Sequence, residues 1–286
     1  MLLAFRVVVD SRDKRTEFTP QFVKDAGAKG FMNKGKWSPY SDDSVFQKYY
    51  TKFVKALAKD FNDPSKVEFI DGFGLGKWGE YHTMIYSTGD DTPKKAVFDW
   101  VTDIYSQAFD KVPVVINYHR WIGAGKDWVD DEHFAVDSEE MLEEAIKKGY
   151  SLRHDAFGMT TYYGSWERRF AKKYRNICPI IMEGGWIVKS HSYWQDPRGY
   201  RKDSHEDVRR GEFDDSKEAH VNMMDFRFGD TESWFKDAFD LVRRFLREGG
   251  YRLYPSEISL PLEVSKKTTP TIKHCWNNLG WGYCPT

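Results

Sequence analysis

VEFIDGFGLGKWGEYH, residues 67–82, is the stretch on which the reading of this chain turns. Val67-Glu68-Phe69-Ile70 is a short apolar run of the kind that forms a buried strand. Four glycines follow between Gly72 and Gly79, and then Trp78, Glu80, Tyr81 and His82 stand almost side by side. Glycines at a strand end let the backbone turn sharply and let a ligand approach it. A carboxylate among aromatics at such a place is a candidate for chemistry. The plain alternative is a glycine-rich turn that carries an incidental glutamate.

Working outward, the same alternation recurs. Phe5 to Val9, Val67 to Ile70, Val112 to Tyr118, Tyr150 to Leu152, Pro179 to Met182 and Val221 to Phe226 read as strands. Between them, 44–61, 92–109, 138–148, 165–174 and 203–213 carry helical spacing, and 233–247 reads as a last helix stopped by Gly249-Gly250. Pro93 suits the first turn of its helix, and Asp42 or Asp43 suits an N-cap. The stretch from Gly30 to Asp43 reads as a loop. Short apolar strands alternating with helices imply βα units and a parallel sheet. The expected fold class is α/β, a (β/α)8 TIM-barrel-like architecture with about six βα units present. An open doubly wound sheet is the alternative, although the glycines at 72, 74 and 76 lack dinucleotide-fingerprint spacing. After Gly250, runs broken by Pro255, Pro261 and Pro270 suggest the start of a C-terminal β-domain. The expected division is 1–250 for the barrel-like region and 251–286 for a partial β-sandwich segment.

Composition sets outer limits. The 286 residues carry a formal net charge of −1, which gives no bulk electrostatic case for nucleic acid or anionic membrane. No apolar run is long enough for a membrane span, which takes about 20 residues. Residues Met1 to Asp10 lack the basic start and small-residue cleavage site of a secretory leader and read as a core strand. Aromatic residues make up 16% of the chain, and Trp and Tyr offer flat faces that stack on sugar rings or fill a core. Cys178, Cys275 and Cys284 are too few for a disulfide framework. Cys275 and Cys284 are close enough in sequence to pair, and Cys178 reads as a buried thiol. No CxxC or HExxH pattern points to a metal, and no cofactor is expected.

The strand ends hold the candidate site. Glu80 and Glu183 each follow a strand, next to a glycine and close to Trp78 and Trp186. Two carboxyl groups across one cavity are the equipment of glycoside hydrolysis, one as acid and one as nucleophile or base. The competing role for either is a structural ion pair with Arg120, Arg153 or Arg227. His82, His119 and His154 occupy equivalent strand-end positions. They suit hydrogen bonds to sugar hydroxyls or tuning of the carboxylates, with a three-histidine metal site as a lesser alternative. Arg120, Arg153 and Arg227 suit a carboxylated sugar or fixation of the two glutamates. Asn117, Tyr118, Trp121, Asp155 and Tyr162 complete the expected lining. The basic stretch from Arg168 to Arg175 reads as a solvated helix face.

FIDGFGLGKWGEYH, with AFRVVVD, TPQFVKDAGAKG, SPYSDDSVFQKYYTKFVKALAKDF and the tail GYRLYPSEISLPL…IKHCWNNLGWGYCP, resembles the DUF4832 group of proteins. These are similar to glycoside hydrolases of the β-galactosidase-like (β/α)8 superfamily. The resemblance implies Glu80 as a strand-four acid/base, Glu183 as a strand-seven nucleophile and a retaining mechanism on a poly- or oligosaccharide. It also implies an exported protein whose chain here starts at strand three and is completed by a further segment or a second chain. Many such barrels carry Asn before the acid/base, whereas this chain has Gly79, which moves recognition of the sugar 2-hydroxyl to Asn117 or His119. A non-catalytic carbohydrate-binding or scaffold barrel is the alternative.

Overall fold

A computed structural model describes residues 2–12, 16–125, 132–159, 162–184, 205–226, 231–267 and 269–285. Six parallel strands carry the fold: β1 (Leu3–Arg6), β4 (Val67–Asp71), β5 (Val114–Asn117), β6 (Ser151–Phe157), β7 (Ile180–Gly184) and β8 (Met223–Asp225). Their sheet order is β1-β4-β5-β6-β7-β8, so successive βα units lie side by side. This is an α/β fold compatible with a partial TIM-like barrel. Among the described residues no helix is long and apolar enough to cross a membrane. The chain divides into two compact units, Met1–His154 and Asp155–Thr286.

In the first unit, α1 (Gln21–Asp25) leads to a β2 (Gly30–Asn33) and β3 (Lys36–Pro39) hairpin. The sequence predicts a loop here, and the structure replaces it with paired strands. Lys34 and Gly35 both take positive φ, 48° and 75°, which is the two-residue turn that matches strand twist. A lysine in place of the usual Asn or Asp hides that signal. The long helix α2 (Ser44–Phe61) is capped by Asp43, whose carboxylate accepts from the Phe46 N–H at 2.9 Å. It buries Phe46, Tyr50 and Val54, spaced four apart on one face. Pro93 precedes α3 (Lys94–Ala108), and α4 (Glu132–Lys147) buries Met141, Leu142 and Ala145.

The second unit holds α5 (Ser165–Tyr174), α6 (His205–Glu218) and α7 (Phe239–Glu248). Glu167 reaches back to the Gly164 N–H at 2.9 Å and so caps α5. The expected continuous helix from 233 is broken: Ser233–Asp237 is a π-helical turn, and Ala238 leaves helical geometry at φ −129° before α7 begins. β9 (Leu253–Ser259) and β10 (Lys273–Asn278) form an antiparallel hairpin whose residues are all exposed. Beyond it the chain returns to its unit. Trp281 Nε1–H donates to the Val221 carbonyl at 3.0 Å and its ring meets Phe213 and Phe245. Cys178 is buried, Cys275 exposed and Cys284 half-buried, all as free thiols.

Candidate functional site

The first unit gathers a buried charged cluster at the C-terminal end of its strands. Side chains alternate along a strand, and residues paired across parallel strands share a face. The register pairs Arg6 with Asp71, Asp71 with Val115, and Asn117 with Arg153. One face of this sheet therefore carries Arg6 and Asp71 at one level and Asn117 and Arg153 two residues further along their strands. Strand β6 runs beyond its expected end at Leu152, so Arg153 lies inside the strand, because its guanidinium finds carboxylates on that face.

Glu80 completes the cluster from the loop after β4. Its Oε1 accepts from Arg6 Nη1 at 2.6 Å and Arg153 Nη2 at 3.2 Å. Asp71 Oδ2 accepts from the Nε–H of the same two arginines, at 2.8 and 2.9 Å. Two carboxylates and two guanidiniums thus form one network. Arg153, Asp71 and Glu80 have side chains at most 5% exposed, and Arg6 is 21% exposed. The other oxygen of Glu80 faces His82 Nε2 across a long 3.4 Å contact. His119 holds the backbone beneath: its Nδ1 accepts from the Trp121 N–H at 3.2 Å, so Nε2 is the protonated nitrogen and donates to the Glu80 carbonyl at 3.0 Å.

The loop that carries Glu80 is fixed at both ends. Tyr50 Oη–H donates to the Phe73 carbonyl at 2.9 Å, and Tyr150 Oη–H to the Gly72 carbonyl at 2.8 Å. Tyr105 meets the Tyr50 hydroxyl at 3.0 Å. Burial raises the pKa of all three phenols, and for Tyr50 and Tyr150 the neighbouring Tyr105 adds to the rise. Tyr81 packs on Phe73 and donates to the Lys94 carbonyl at 2.6 Å. Between these anchors Trp78, Tyr81 and Thr83 adopt φ of 56°, 60° and 49°. Left-handed backbone at a non-glycine residue costs about 1–2 kcal/mol. Strain of this kind persists only where surrounding structure imposes it, and it gathers at functional sites.

Gly79 has no room for the asparagine that the resemblance leads one to seek there. Its φ is +79°, and a Cβ would lie 2.8 Å from the Val7 carbonyl oxygen.

The other sequence candidates have varied surroundings. Trp78 is 40% exposed, with Lys77 Nζ 4.2 Å from its ring centre and the His82 ring edge-on to it. Arg120 lies over Trp121 at 3.8 Å, a cation–π pair. Alternation turns His154 to the face opposite Arg153, where it packs edge-on against buried Tyr118 at 4.9 Å. In the second unit, Asp155 is half-buried within β6 and Tyr162 packs against Ala156, Met159 and Val208. Glu183 is half-buried as the fourth residue of β7. Trp186 and Arg227 lie outside the described residues.

Sequence reasoning missed Arg6 and Asp71. Asp71 ends an apolar strand and so carried the same strand-end signal as Glu80, whereas Arg6 inside AFRVVVD gave none. In the second unit it missed Asp215 and Glu212, which are 1% and 0% exposed on α6. Asp215 accepts from Arg168 Nε at 3.1 Å and from the Gly158 N–H at 3.1 Å, so Arg168 is not part of a solvated face. Glu212 Oε2 accepts from Arg209 Nη1 at 2.5 Å. No family model matches the chain, and neither a curated protein nor a solved structure is significantly similar to it.

Proposed function

We propose that this is a carbohydrate-active protein of the glycoside hydrolase class, with Glu80 as the working carboxylate of its first unit. The observation that carries the reading is a buried carboxylate at the C-terminal end of a parallel strand, where α/β folds place their sites. It is held through one oxygen by two guanidiniums and turned to His82 through the other. Adjacent cations favour the ionised form of a carboxyl group. Glu80 is thus suited to attack an anomeric carbon, to take a proton from water or to stabilise positive charge on the sugar ring. It is less suited to serve as a proton donor, which moves its role away from the acid/base that the family resemblance implies. Exposed Trp78 supplies a stacking face beside it. Glu183, near the end of β7, is the second carboxylate on sequence grounds.

Glu80→Gln tests the proposal. Loss of a catalytic carboxylate of this kind lowers kcat by about 100-fold or more. Aryl glycosides of several sugars give the readout, and circular dichroism checks that the variant is folded. A folded variant with the parent's rate removes Glu80 from the mechanism.

The full engagement of Glu80 by Arg6, Arg153 and His82 also favours a second reading, a carbohydrate-binding protein without turnover. Calorimetric binding of oligosaccharides with no product after long incubation would select it.

A further inference from the structure

We propose that Asn117 is the residue of the first unit that recognises the ligand, and that the ligand is an uncharged, hydroxyl-rich molecule rather than an acidic one. The inference rests on the carbohydrate reading above and narrows it. Asn117 is the last residue of β5, a strand whose four residues are all buried, the other three being Val114, Val115 and Ile116. It is 3% exposed, and both its Nδ2 and its Oδ1 lack a hydrogen-bond partner among the described residues. Buried polar atoms are nearly always bonded, and leaving both ends of a carboxamide unmet is costly. Leucine has almost the same shape and would fill the site without that cost. A position that keeps a polar group against the rules of packing is where function is expected to outweigh stability.

The surroundings define what would satisfy it. Asn117 pairs in register with Arg153, whose guanidinium holds Glu80 and Asp71, so the carboxamide lies on the face that carries the charged cluster. It stands at the strand's C-terminal end, as Glu80 does. Within the cluster two guanidiniums are matched by two carboxylates. A uronate or a sugar phosphate would have to compete with Asp71 and Glu80 for those cations. A carboxamide offers a donor and an acceptor side by side, and neighbouring hydroxyls on a sugar ring offer the complement.

Asn117→Leu provides the test. The parent and the variant are titrated calorimetrically with neutral gluco-, xylo-, manno- and galacto-oligosaccharides and with uronic-acid oligomers, and both are melted. The expected result is an unchanged or higher melting temperature in the variant, a loss of neutral-sugar affinity of at least about tenfold, the value of one good hydrogen bond, and no preference of the parent for uronates. A fall of more than about 5 °C in Tm, beyond what 1 kcal/mol produces in a unit of this size, would make Asn117 a structural residue and overturn the proposal. So would neutral-sugar affinity within twofold of the parent, or tighter uronate binding by the parent. If the parent binds neutral sugars and the variant matches it, this inference alone falls. If the parent binds no sugar at all, the carbohydrate reading falls with it.

Discussion

Removing Arg153 should cost the first unit much more than removing Arg6, although Arg6 makes the shorter contacts. Arg6 approaches Asp71 and Glu80 at 2.8 and 2.6 Å, and Arg153 at 2.9 and 3.2 Å. Coulomb attraction at an effective dielectric of about 20 then favours Arg6 by about 1 kcal/mol at Glu80. Burial acts the other way. Arg6 is 21% exposed, so water already screens it and can reach the position it vacates. Arg153 is 3% exposed, and without it the two buried carboxylates keep only the partly solvated one of these two guanidiniums. Breaking a buried pair by deleting one partner costs about 3–5 kcal/mol. Because Arg6 remains, the lower end applies, and Arg153→Met should cost about 3 kcal/mol. Arg6→Met, which leaves the buried partner in place, should cost about 1 kcal/mol. Methionine keeps the aliphatic packing in both variants. At about 2–4 °C per kcal/mol the melting temperature should fall by about 6–12 °C and 2–4 °C respectively. Calorimetry on both variants supplies the measurement. Equal losses, or a larger loss for Arg6→Met, would show that contact distance rather than burial governs this network.

Two further expectations follow from the same unit. Gly79→Ala places a Cβ 2.8 Å from the Val7 carbonyl at φ +79°, whereas Gly89→Ala, at φ +80°, meets nothing within 4 Å. Both carry the left-handed cost of about 1–2 kcal/mol, and overlap should add about 1–3 kcal/mol at Gly79 only; urea denaturation giving equal losses would refute the close approach. Tyr50, Tyr81, Tyr86, Tyr105 and Tyr150 all have raised pKa values, with burial as the first cause. Below the ordinary tyrosine pKa of about 10 both folded and unfolded chains keep these protons. Above it the unfolded chain loses them first, so stability falls as pH rises. Phenolate absorbance from these five should appear together with unfolding, and a gradual appearance in folded protein would contradict their burial.

The element types and their order were legible in the sequence because strand and helix periods are local. Val67–Ile70 and Ser44–Phe61 declared themselves through spacing that the chain carries within a few residues. Where local signals were ambiguous the boundaries moved, as at the Lys34-Gly35 turn and at Ala238, where the last helix breaks. Strand β6 ran on through Arg153, since a charge that closes a strand on local grounds can sit inside it once carboxylates from other strands meet it.

The sequence by itself marked Glu80, His82, His119 and Asn117 as strand-end residues, and it offered an arginine ion pair as one role for Glu80. Tertiary structure decided which arginines are present. Arg6 and Asp71 are 65 residues apart, and Arg6 and Glu80 are 74 apart. Alternation within one strand is written in the sequence, but the register between strands is not. That register sets Arg6, Asp71, Asn117 and Arg153 on one face and turns His154 to the other. The carboxylate that the sequence places in a glycine-rich turn is therefore a buried group whose charge guanidiniums balance. Its chemistry is set by neighbours that only folding brings within hydrogen-bond distance.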